Sequence, residues 1–225
     1  MIKKKYLYLV SVPIGNFDDF TIRGIETLKN ADIIIGEERA TTEKILKKLG
    51  IFNKEILLLN EHNESKEALD IFHNIINNNL SAALISEAGT PCIADPGTIL
   101  VNIFHQNKLP VVPVPGVSSI ITAIMVSGIT TDSFKYIGFL SSNSETRLKE
   151  LKSLSKEKIP IVFLETPYRK KQVLNDISIV YGKNKIIVFA YKLTQPEEIV
   201  IKDTVFNVIE QTKDFKKGEF VIVIL

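Results

Sequence analysis

The feature that most constrains the fold of this chain is the alternation of short apolar runs with segments of helical periodicity. In the first half, runs of strand length lie at 6–12, 32–36, 55–59, 82–85 and 111–114. Each is followed by a segment whose apolar residues recur at the three- and four-residue spacing of a helix. Strands that alternate with helices are typical of a parallel sheet with helices on both faces. We therefore expect an α/β fold.

Capping residues indicate where the helices of this half begin. Asp18 or Asp19 is expected to cap the first helix, and Ser65 the third. For the second helix, either Thr41 or Thr42 would serve as the cap. The apolar face of the third helix is expected to consist of Ala68, Leu69, Phe72, Ile75 and Ile76.

The second half follows a different pattern after the polar segment 130–133, which is typical of a linker. Strands are expected at 135–140, 159–164, 185–191, 198–202 and 219–225, and helices at 144–154, 168–180 and 204–212. Because helices do not separate all of the last strands, this half is expected to contain a mixed sheet. The predicted domains are residues 1–115, with the parallel sheet, and residues 116–225, with the mixed sheet.

One loop, at 86–97, contains two prolines and two glycines between an apolar run and a helical pattern. In an open α/β sheet, a loop at the carboxyl end of a strand is where ligands bind. Gly89 has no side chain, so a ligand would be able to approach the backbone there. A tight turn without any ligand explains the same composition equally well.

Three further loops have glycine or proline at a strand end: 13–16, 113–119 and 165–168. If their strands are parallel neighbours, the first two of these lie at the same sheet edge as loop 86–97. Loop 165–168 belongs to the second half, so a cleft between the halves is the expected site. None of the loops of the first half matches a dinucleotide fingerprint or a P-loop, which argues against those classes.

Composition excludes several other classes of site and location. The net charge of +2 over 225 residues is too small to indicate a polyanion partner by itself. The single cysteine, Cys92, excludes an intramolecular disulfide, and we expect it to be a small buried residue. His62, His73 and His105 lack zinc-ligand spacing, so no metal is expected. With no signal peptide or membrane-length apolar run, we expect a cytoplasmic protein without a membrane segment.

Two acidic segments directly follow predicted strands. They are Glu61-His62-Asn63-Glu64 and Glu37-Glu38-Arg39. Carboxylates at these places would either cap the next helix or accept a proton from a substrate. Glu38 and His62 are the candidates for the proton acceptor.

The order of four motifs resembles that of the tetrapyrrole methylase superfamily. The motifs are Leu-Val-x-x-Pro-Ile-Gly-Asn (9–16), Glu-His-Asn-Glu (61–64), Ala-Gly-Thr-Pro-x-Ile-x-Asp-Pro-Gly (88–97) and Pro-x-Pro-Gly-x-Ser (113–118). Within the superfamily, the chain is most similar to the bacterial methyltransferases that modify a cytidine 2′-hydroxyl in small-subunit ribosomal RNA. The resemblance runs from about residue 7 to residue 223.

The resemblance implies a two-domain enzyme of this methyltransferase class, a homodimer that binds S-adenosylmethionine between its domains. It implies ribosomal RNA, or the small ribosomal subunit, as the partner. By motif position, the residues that would contact the cofactor are Pro13, Ile14, Gly15, Ala88, Gly89, Thr90, Ile93, Ser118, Ser119, Glu165 and Leu193. For an RNA substrate, the candidates for phosphate contacts are Lys3, Lys4, Lys5, Arg147, Lys149, Arg169, Lys170 and Lys171, although a solvated surface position explains each of them better when taken alone.

The charged motifs of the family are changed in this chain. Residues 37–40, 166–169 and 191–195 have Glu-Glu-Arg-Ala, Thr-Pro-Tyr-Arg and Tyr-Lys-Leu-Thr-Gln, where the family has Glu-Asp-Thr-Arg, Ser-Pro-His-Arg and Arg-Glu-Leu-Thr-Lys. Two alternatives therefore stay open beside the RNA hypothesis. One is methyl transfer to a tetrapyrrole or another small molecule, and the other is a relative that binds the cofactor without catalysis.

Overall fold

The computed structural model describes residues 6–130 and 132–225. The chain divides into two compact units, and the boundary falls between Ser118 and Ser119. We refer to these as unit 1 and unit 2. The lysines at positions 3–5, which were candidates for phosphate contacts, and Thr131 of the predicted linker lie outside the described residues.

Unit 1 is a parallel five-stranded sheet with helices between its strands. Its elements are β1 (Leu7–Val10), a 3-10 helix (Phe17–Asp19), α1 (Ile22–Asn30), β2 (Ile33–Gly36), α2 (Arg39–Lys48), β3 (Glu55–Leu58), α3 (Glu64–Asn77), β4 (Ala82–Leu84), α4 (Thr98–Gln106) and β5 (Val111–Val114). The strand order is β3-β2-β4-β1-β5, and every pairing is parallel. The predicted parallel sheet is confirmed.

The core of unit 1 lies on both faces of this sheet. Ile33 and Ile35 of β2 belong to a cluster with Phe72 of α3. Ile34, which points the other way, belongs to a second cluster with Leu28 of α1. Successive side chains of a strand alternate between faces, so an unbroken apolar strand requires helices on both sides.

Several predicted helix starts in unit 1 are wrong. Thr21 caps α1, since its hydroxyl accepts the N–H of Gly24 at 2.9 Å. Asp18 and Asp19 instead lie in the 3-10 helix that precedes it. Several polar residues precede the apolar stripe in the sequence. Because Phe17–Asp19 form a 3-10 helix, Thr21 is the residue that lies at the start of α1.

Helices α2 and α3 also begin earlier than expected. Glu38 precedes α2, ahead of Thr41 and Thr42, and Asn63 precedes α3, ahead of Ser65. Each helix is therefore longer at its amino end than the capping residues predicted.

The apolar face of α3 is only partly as predicted. Ala68, Phe72 and Ile75 are buried, and so is Ile71, but Leu69 is 51% exposed. The buried positions follow the i, i+3, i+4, i+7 pattern from Ala68, which places Leu69 about 100° away from that stripe.

Unit 2 is a mixed five-stranded sheet. Its elements are α5 (Ser119–Ser127), β6 (Lys135–Phe139), α6 (Ser144–Leu154), β7 (Ile161–Glu165), α7 (Lys170–Tyr181), β8 (Ile186–Tyr191), β9 (Ile199–Thr204), α8 (Val205–Thr212) and β10 (Phe220–Ile224). In the order β6-β7-β10-β8-β9, the β6–β7 pair is parallel and the others are antiparallel. The predicted mixed sheet is confirmed.

A buried ion pair joins two helices of unit 2. The Nε of Arg147 on α6 donates to Asp176 of α7 at 2.7 Å, and both residues are buried. The same guanidinium donates through Nη1 to the carbonyls of Ser141 and Ser142. Arg147 therefore holds α6, α7 and the loop before α6 together.

In neither described range is there a helix long and apolar enough to cross a membrane.

Candidate functional site

Three glycine- and proline-containing loops lie at one edge of the unit 1 sheet. Strands β4, β1 and β5 are parallel neighbours, so the loops that follow them leave the sheet at the same edge. This confirms that loops 13–16, 86–97 and 113–119 emerge together. A two-way backbone bridge joins the first two, since Val12 N–H donates to Gly89 O at 2.8 Å and Gly89 N–H donates to Val12 O at 3.0 Å.

Thr90 connects all three loops through its hydroxyl. It accepts a hydrogen bond from the Ser11 hydroxyl at 3.3 Å and donates to the carbonyl of Val117 at 3.0 Å. A Cβ on Gly116 would lie 3.0 Å from the Cβ of Ser11, so the third loop passes close to the first. The three loops thus form one interlocked edge, which we call the loop edge.

Gly89 allows two loops to pack closely against each other. Its φ of +82° favours glycine, and a Cβ there would meet Cγ2 of Ile14 at 3.3 Å. The Gly89 N–H donates to Val12 O, so this donor is engaged within the loop edge. The close approach that glycine permits here is to Val12 and Ile14.

The predicted cofactor residues of unit 1 occupy this edge at different depths. Gly15, Ala88 and Ile93 are exposed, whereas Gly89 is buried. The half-buried members are Pro13, Ile14, Thr90, Ser118 and Ser119, the last of which begins α5 in unit 2.

The backbone of loop 86–97 is strained. Cys92 and Ala94 have φ values of 66° and 62°, which side chains other than glycine rarely adopt. Gly97 has a φ of 123°, and a Cβ there would lie 2.5 Å from Cδ2 of Leu84. Strain of this kind persists only where surrounding contacts impose it, and it concentrates at ligand-binding and active sites.

Glu64 supplies one of those contacts. Its Oε1 accepts the N–H groups of Gly97 and Ile99 at 2.9 and 2.8 Å, which caps the start of α4. The capping interpretation of the Glu61–Glu64 segment therefore holds for Glu64, but the capped helix is α4 and not the next helix along the chain. Sequence periodicity gave no sign of this contact, which spans more than thirty positions.

Of the other residues in that segment, Asn63 has a structural role, whereas Glu61 and His62 are exposed to solvent. The side chain of Asn63 accepts the N–H of Asn60 at 2.7 Å and donates to Leu58 O at 3.1 Å, which fixes the turn after β3. Glu61 and His62 point outward, with side chains 81% and 86% exposed.

A cavity of ≈ 750 Å³ lies at the carboxyl ends of β2, β3 and β4. His62 is one of the described residues that line it, and none of those residues is a lysine or an arginine. Six carboxylates line it: Glu37, Glu38, Glu61, Glu64, Glu87 and Asp95. We call this the acidic cavity.

Two carboxyl groups of the acidic cavity hold their protons more tightly than usual. Burial, with the charges of Asp95 and Glu87 nearby, raises the pKa of Glu37 to about 7, although the N–H of Glu87 partly offsets this. Burial and the charge of Glu87 raise the pKa of Asp95 to about 6, against a hydrogen bond from Ser86. Groups that exchange protons near neutral pH are concentrated at functional sites.

Sequence reasoning chose Glu38 and His62 and missed Glu37 and Asp95. Glu38 is exposed, and its Oε2 accepts the hydroxyl of Thr41 at 2.8 Å. Both chosen residues do line the cavity. Glu37 is one position nearer the end of β2, and this nearness to a buried strand was the available indication of its burial.

Nucleophile and metal chemistry find no support at this edge. Burial raises the pKa of the Cys92 thiol to about 11, with Glu64 and Asp95 adding to the effect, so the thiol stays protonated. His73 and His105 are exposed on helices, as expected. Across the described part of the chain, no three acidic, histidine or cysteine side chains are grouped so as to hold a metal ion.

Glu165 of unit 2 ends β7 with a buried carboxylate. Its Oε1 accepts the Thr166 N–H and the guanidinium of Arg169, with the Arg169 Nη2 at 2.6 Å. Its Oε2 is buried and has no hydrogen-bond partner within residues 6–130 and 132–225. An acceptor left in this state is costly unless a ligand or water donates to it.

Leu193, the other predicted cofactor residue of unit 2, is 6% exposed. It lies between Lys192 and Thr194, whose φ values are 48° and 63°. The loop after β8 therefore carries backbone strain, as loop 86–97 of unit 1 does.

Three of the predicted phosphate contacts are occupied within unit 2. Arg147 is buried against Asp176, and Arg169 is paired with Glu165. The ammonium of Lys170 donates to the carbonyls of Thr212 and Phe215. The expectation is wrong for Arg147, which is buried, whereas Arg169 and Lys170 are half-buried and already donate to internal acceptors. Lys149 and Lys171 are exposed, and Lys149 pairs with Glu145 at 2.7 Å.

Comparison with known proteins identifies a family that this chain matches over most of its length. Residues 6–209 match the family model of the tetrapyrrole (corrin/porphyrin) methylases. A relative from Buchnera aphidicola subsp. Baizongia pistaciae, "Ribosomal RNA small subunit methyltransferase I", is 36% identical over 97% of this chain and 75% of its own length. A protein of the same name from Bacillus subtilis is 36% identical over 97% of this chain and 74% of its own.

Solved structures show the same fold at low sequence identity. Diphthine synthase has a TM-score of 0.71 at 17% identity, covering 98% of this chain and 89% of its own. The uroporphyrin-III C-methyltransferase of Thermus thermophilus, solved with S-adenosyl homocysteine, has a TM-score of 0.68 at 15% identity, covering 97% and 96%. On its sequence and its fold, this chain belongs to the tetrapyrrole methylase family.

Proposed function

We propose that this protein is an S-adenosylmethionine-dependent methyltransferase that methylates the 2′-hydroxyl of a cytidine in small-subunit ribosomal RNA. The observation that carries the proposal is the 36% identity to small-subunit ribosomal RNA methyltransferases over 97% of the chain. The interlocked loop edge of unit 1 and the strained loop at Leu193 of unit 2 support a ligand-binding role for these segments.

The residues present suit S-adenosylmethionine, which would supply a methyl group activated by its positive sulfur. In unit 1 the proposed contacts are the small residues Ala88 and Gly89 with Thr90, beside Ile14. In unit 2, the orphaned Oε2 of Glu165 offers an acceptor to a hydrogen-bond donor. The other proposed contacts are Pro13, Gly15, Ile93, Ser118, Ser119 and Leu193.

A hydroxyl acceptor must lose its proton when it takes a methyl group, and the acidic cavity provides groups for this step. Glu38 and His62 are proposed as proton acceptors, and Glu37 joins them. A general base works best when its pKa lies near the working pH, which favours Glu37 with a pKa of about 7.

The charge of the acidic cavity separates the two acceptor hypotheses. Six carboxylates without a lysine or arginine among the described lining residues would repel a tetrapyrrole that carries its own carboxylates. The ribose of a nucleotide presents a neutral hydroxyl face, so its approach costs less. RNA phosphates would have to contact the protein elsewhere.

The deciding experiment is transfer of a labelled methyl group to small ribosomal subunits from cells that lack this protein. We expect label in RNA, at a linkage that resists alkaline hydrolysis because its 2′-hydroxyl is blocked, and at a cytidine. Label in a tetrapyrrole but not in RNA would support the other acceptor. No S-adenosylhomocysteine from any acceptor, with normal cofactor binding in calorimetry, would support the non-catalytic alternative.

Variants assign the proton acceptor in the same assay. We expect Glu37→Gln to lower kcat by about 10²-fold or more, with cofactor affinity unchanged. Glu67→Gln, on the exposed side of α3, is the matched control and should leave kcat unchanged. If kcat is unchanged in Glu37→Gln but falls in Glu38→Gln or His62→Gln, the residue whose variant loses activity is the proton acceptor.

We also propose a homodimer and a cytoplasmic location. Helix α5 has no charged residue, and its Ile121 and Met125 are 55% and 72% exposed. An apolar pair one turn apart on a helix surface supports its burial by a second copy. Sedimentation of the wild type against Ile121→Glu/Met125→Glu tests this, and a monomeric wild type would contradict it. The ribosomal substrate supports the cytoplasmic location.

A further inference from the structure

An exposed aromatic ring with a lysine over it stands at one edge of the unit 2 sheet. Tyr168 follows β7 and is 74% exposed. The ammonium of Lys217 lies 4.6 Å from the centre of its ring. A ring in this position is accessible to a planar group from outside the protein, and a cation already lies against it.

Four lysines lie on the two segments that meet at this ring, which are the chain next to Tyr168 and the loop that carries Lys217. Lys171, Lys213, Lys216 and Lys217 are all exposed. In the described part of the chain, none of them forms an ion pair with an acidic residue. Other lysines of unit 2 do so: Lys135 pairs with Glu157, Lys149 with Glu145 and Lys192 with Glu197.

The loop that carries three of these lysines, 213–217, is fixed to unit 2 by hydrogen bonds. The ammonium of Lys170 donates to the carbonyls of Thr212 and Phe215, and it lies over the Phe215 ring. The hydroxyl of Tyr191 donates to Lys216 O at 3.0 Å. The lysine side chains therefore project from an anchored backbone, which reduces the entropy lost when they bind.

The distribution of charge between the units agrees with this location. Residues 119–225 hold sixteen lysines and arginines against twelve acidic residues, whereas residues 1–118 hold twelve against fourteen. The net charge of +2 for the whole chain conceals this difference. A polyanion would be attracted to unit 2 and repelled by the acidic cavity of unit 1.

We propose that Tyr168, Lys171, Lys213, Lys216 and Lys217, here called the Tyr168 surface, bind an unpaired segment of the RNA substrate. A base stacks on the ring of Tyr168, and the lysines contact the flanking phosphates. This combination of an aromatic platform with cations is how proteins hold single-stranded nucleic acid. The proposal rests on the proposed function for the identity of the substrate.

The test is binding of an unstructured RNA of about twelve nucleotides, followed by fluorescence anisotropy between about 50 and 200 mM salt. Tyr168→Ala should weaken binding about tenfold, and Tyr168→Phe should leave it unchanged, because base stacking needs only the ring. Lys216→Ala/Lys217→Ala should lower the slope of log affinity against log salt by about 1.4, or about 0.7 for each lost phosphate contact.

A matched control removes the same charge from another part of unit 2. Lys152 and Lys156 are exposed at the end of α6, before β7 begins, whereas Tyr168 lies beyond the end of β7. Lys152→Ala/Lys156→Ala should leave the salt slope unchanged. Equal effects of the two lysine pairs would overturn the proposal, since they would reflect net charge alone. Thermal unfolding of Tyr168→Ala separates lost binding from lost folding.

Heparin, a polyanion without bases, distinguishes RNA from other acidic partners. Lys216→Ala/Lys217→Ala should weaken both ligands, and Tyr168→Ala should weaken RNA alone. Equal weakening of both ligands by Tyr168→Ala, or no weakening of either, would overturn the proposal.

Methyl transfer separates this proposal from the proposed function. Wild-type methylation of ribosomal subunits with an unchanged RNA KM in Tyr168→Ala would overturn the Tyr168 surface and leave the proposed function intact. If the protein transfers no methyl group but its RNA binding depends on Tyr168, the proposed function would be overturned and the Tyr168 surface would stand.

Discussion

The two units treat their less exposed carboxylates in opposite ways. In unit 2, Glu165 pairs with Arg169 at 2.6 Å and Asp176 pairs with Arg147 at 2.7 Å. In unit 1, six carboxylates line one cavity, and the described lining residues include no lysine or arginine. Burial among like charges raises the pKa of Glu37 and of Asp95 there.

This difference separates carboxylates that are neutralised by an arginine from carboxylates that lie together without a cation. A buried carboxylate with an arginine is already neutralised, and removing either partner leaves a costly charge. Carboxylates gathered without a cation lower the stability of the folded state, and enzymes accept such losses at sites that need altered protonation. Removing an unpaired carboxylate of the acidic cavity should therefore stabilise the protein, whereas removing one partner of an ion pair in unit 2 should destabilise it.

The largest effect is expected from breaking the Arg147–Asp176 pair of unit 2. Arg147→Met should destabilise the protein by about 3–5 kcal/mol, because it leaves Asp176 buried without its partner. Chemical unfolding monitored by circular dichroism measures this change. The exposed pair on the same helix is the control: Lys149→Met should cost less than about 1 kcal/mol.

The double variant Arg147→Met/Asp176→Leu sharpens that prediction. Once both charges are gone, most of the lost stability should return, since no buried charge remains unpaired. If Arg147→Met unfolds like the wild type, the ion pair of unit 2 does not stabilise the fold, and the contrast with unit 1 is lost.

Backbone geometry, rather than ion pairing, fixes loop 86–97 of unit 1. Gly97→Ala should destabilise the protein by about 3 kcal/mol, because its Cβ would lie 2.5 Å from Cδ2 of Leu84 and 2.8 Å from Sγ of Cys92. Gly50 also has a positive φ, of 68°, but no atom within 4 Å of an added Cβ. Gly50→Ala should therefore cost only about 1 kcal/mol, and equal losses would show that the contact with Leu84 is unimportant.

The sequence predicted the parts of this molecule that depend on local pattern. The run of isoleucines at 33–35 predicted a strand buried on both faces, and the structure has it. Alternation of strands and helices gave the parallel sheet, and with it the shared edge of loops 13–16, 86–97 and 113–119. These features follow from periodicity over a few residues, which a sequence shows directly.

The parts that failed depend on contacts between distant positions. Glu64 caps α4 from another helix, and Arg147 reaches Asp176 on α7. A carboxylate or a guanidinium looks the same in a sequence whether its partner is solvent, a helix end or an ion. For that reason Arg147 was a candidate for phosphate binding, and the raised pKa of Glu37 was not expected.

Glu64 differs from the unpaired carboxylates of the acidic cavity because it caps a helix, α4. Glu64→Ala should destabilise the protein by about 1.5 kcal/mol, because the N–H groups of Gly97 and Ile99 lose their acceptor. Glu61→Ala, which removes an exposed carboxylate from the same segment, should change stability little. If both variants unfold alike, the cap contributes nothing and Glu64 belongs with the unpaired carboxylates.

The smallest effect, but the one that bears most directly on the comparison, is expected at Glu37. Its pKa rises from 4.5 to about 7 on folding, so between these pH values the folded state holds a proton that the unfolded state releases. Stability from this group is therefore present at low pH and lost as the pH rises toward 7. Glu37→Gln removes the penalty and should stabilise the protein above pH 7 by on the order of 1 kcal/mol, after discounting for solvent screening of a half-exposed group.

The test is the free energy of unfolding of Glu37→Gln and wild type from pH 4 to pH 8, with the exposed Glu38→Gln as the control. The gain should be absent near pH 4, where both forms are neutral, and should grow through the window set by the raised pKa. Some pH dependence should persist in Glu37→Gln, because Asp95, with a pKa of about 6, contributes in the same direction. A gain that is independent of pH would mean that packing, and not the unpaired charge, sets the energy of the acidic cavity.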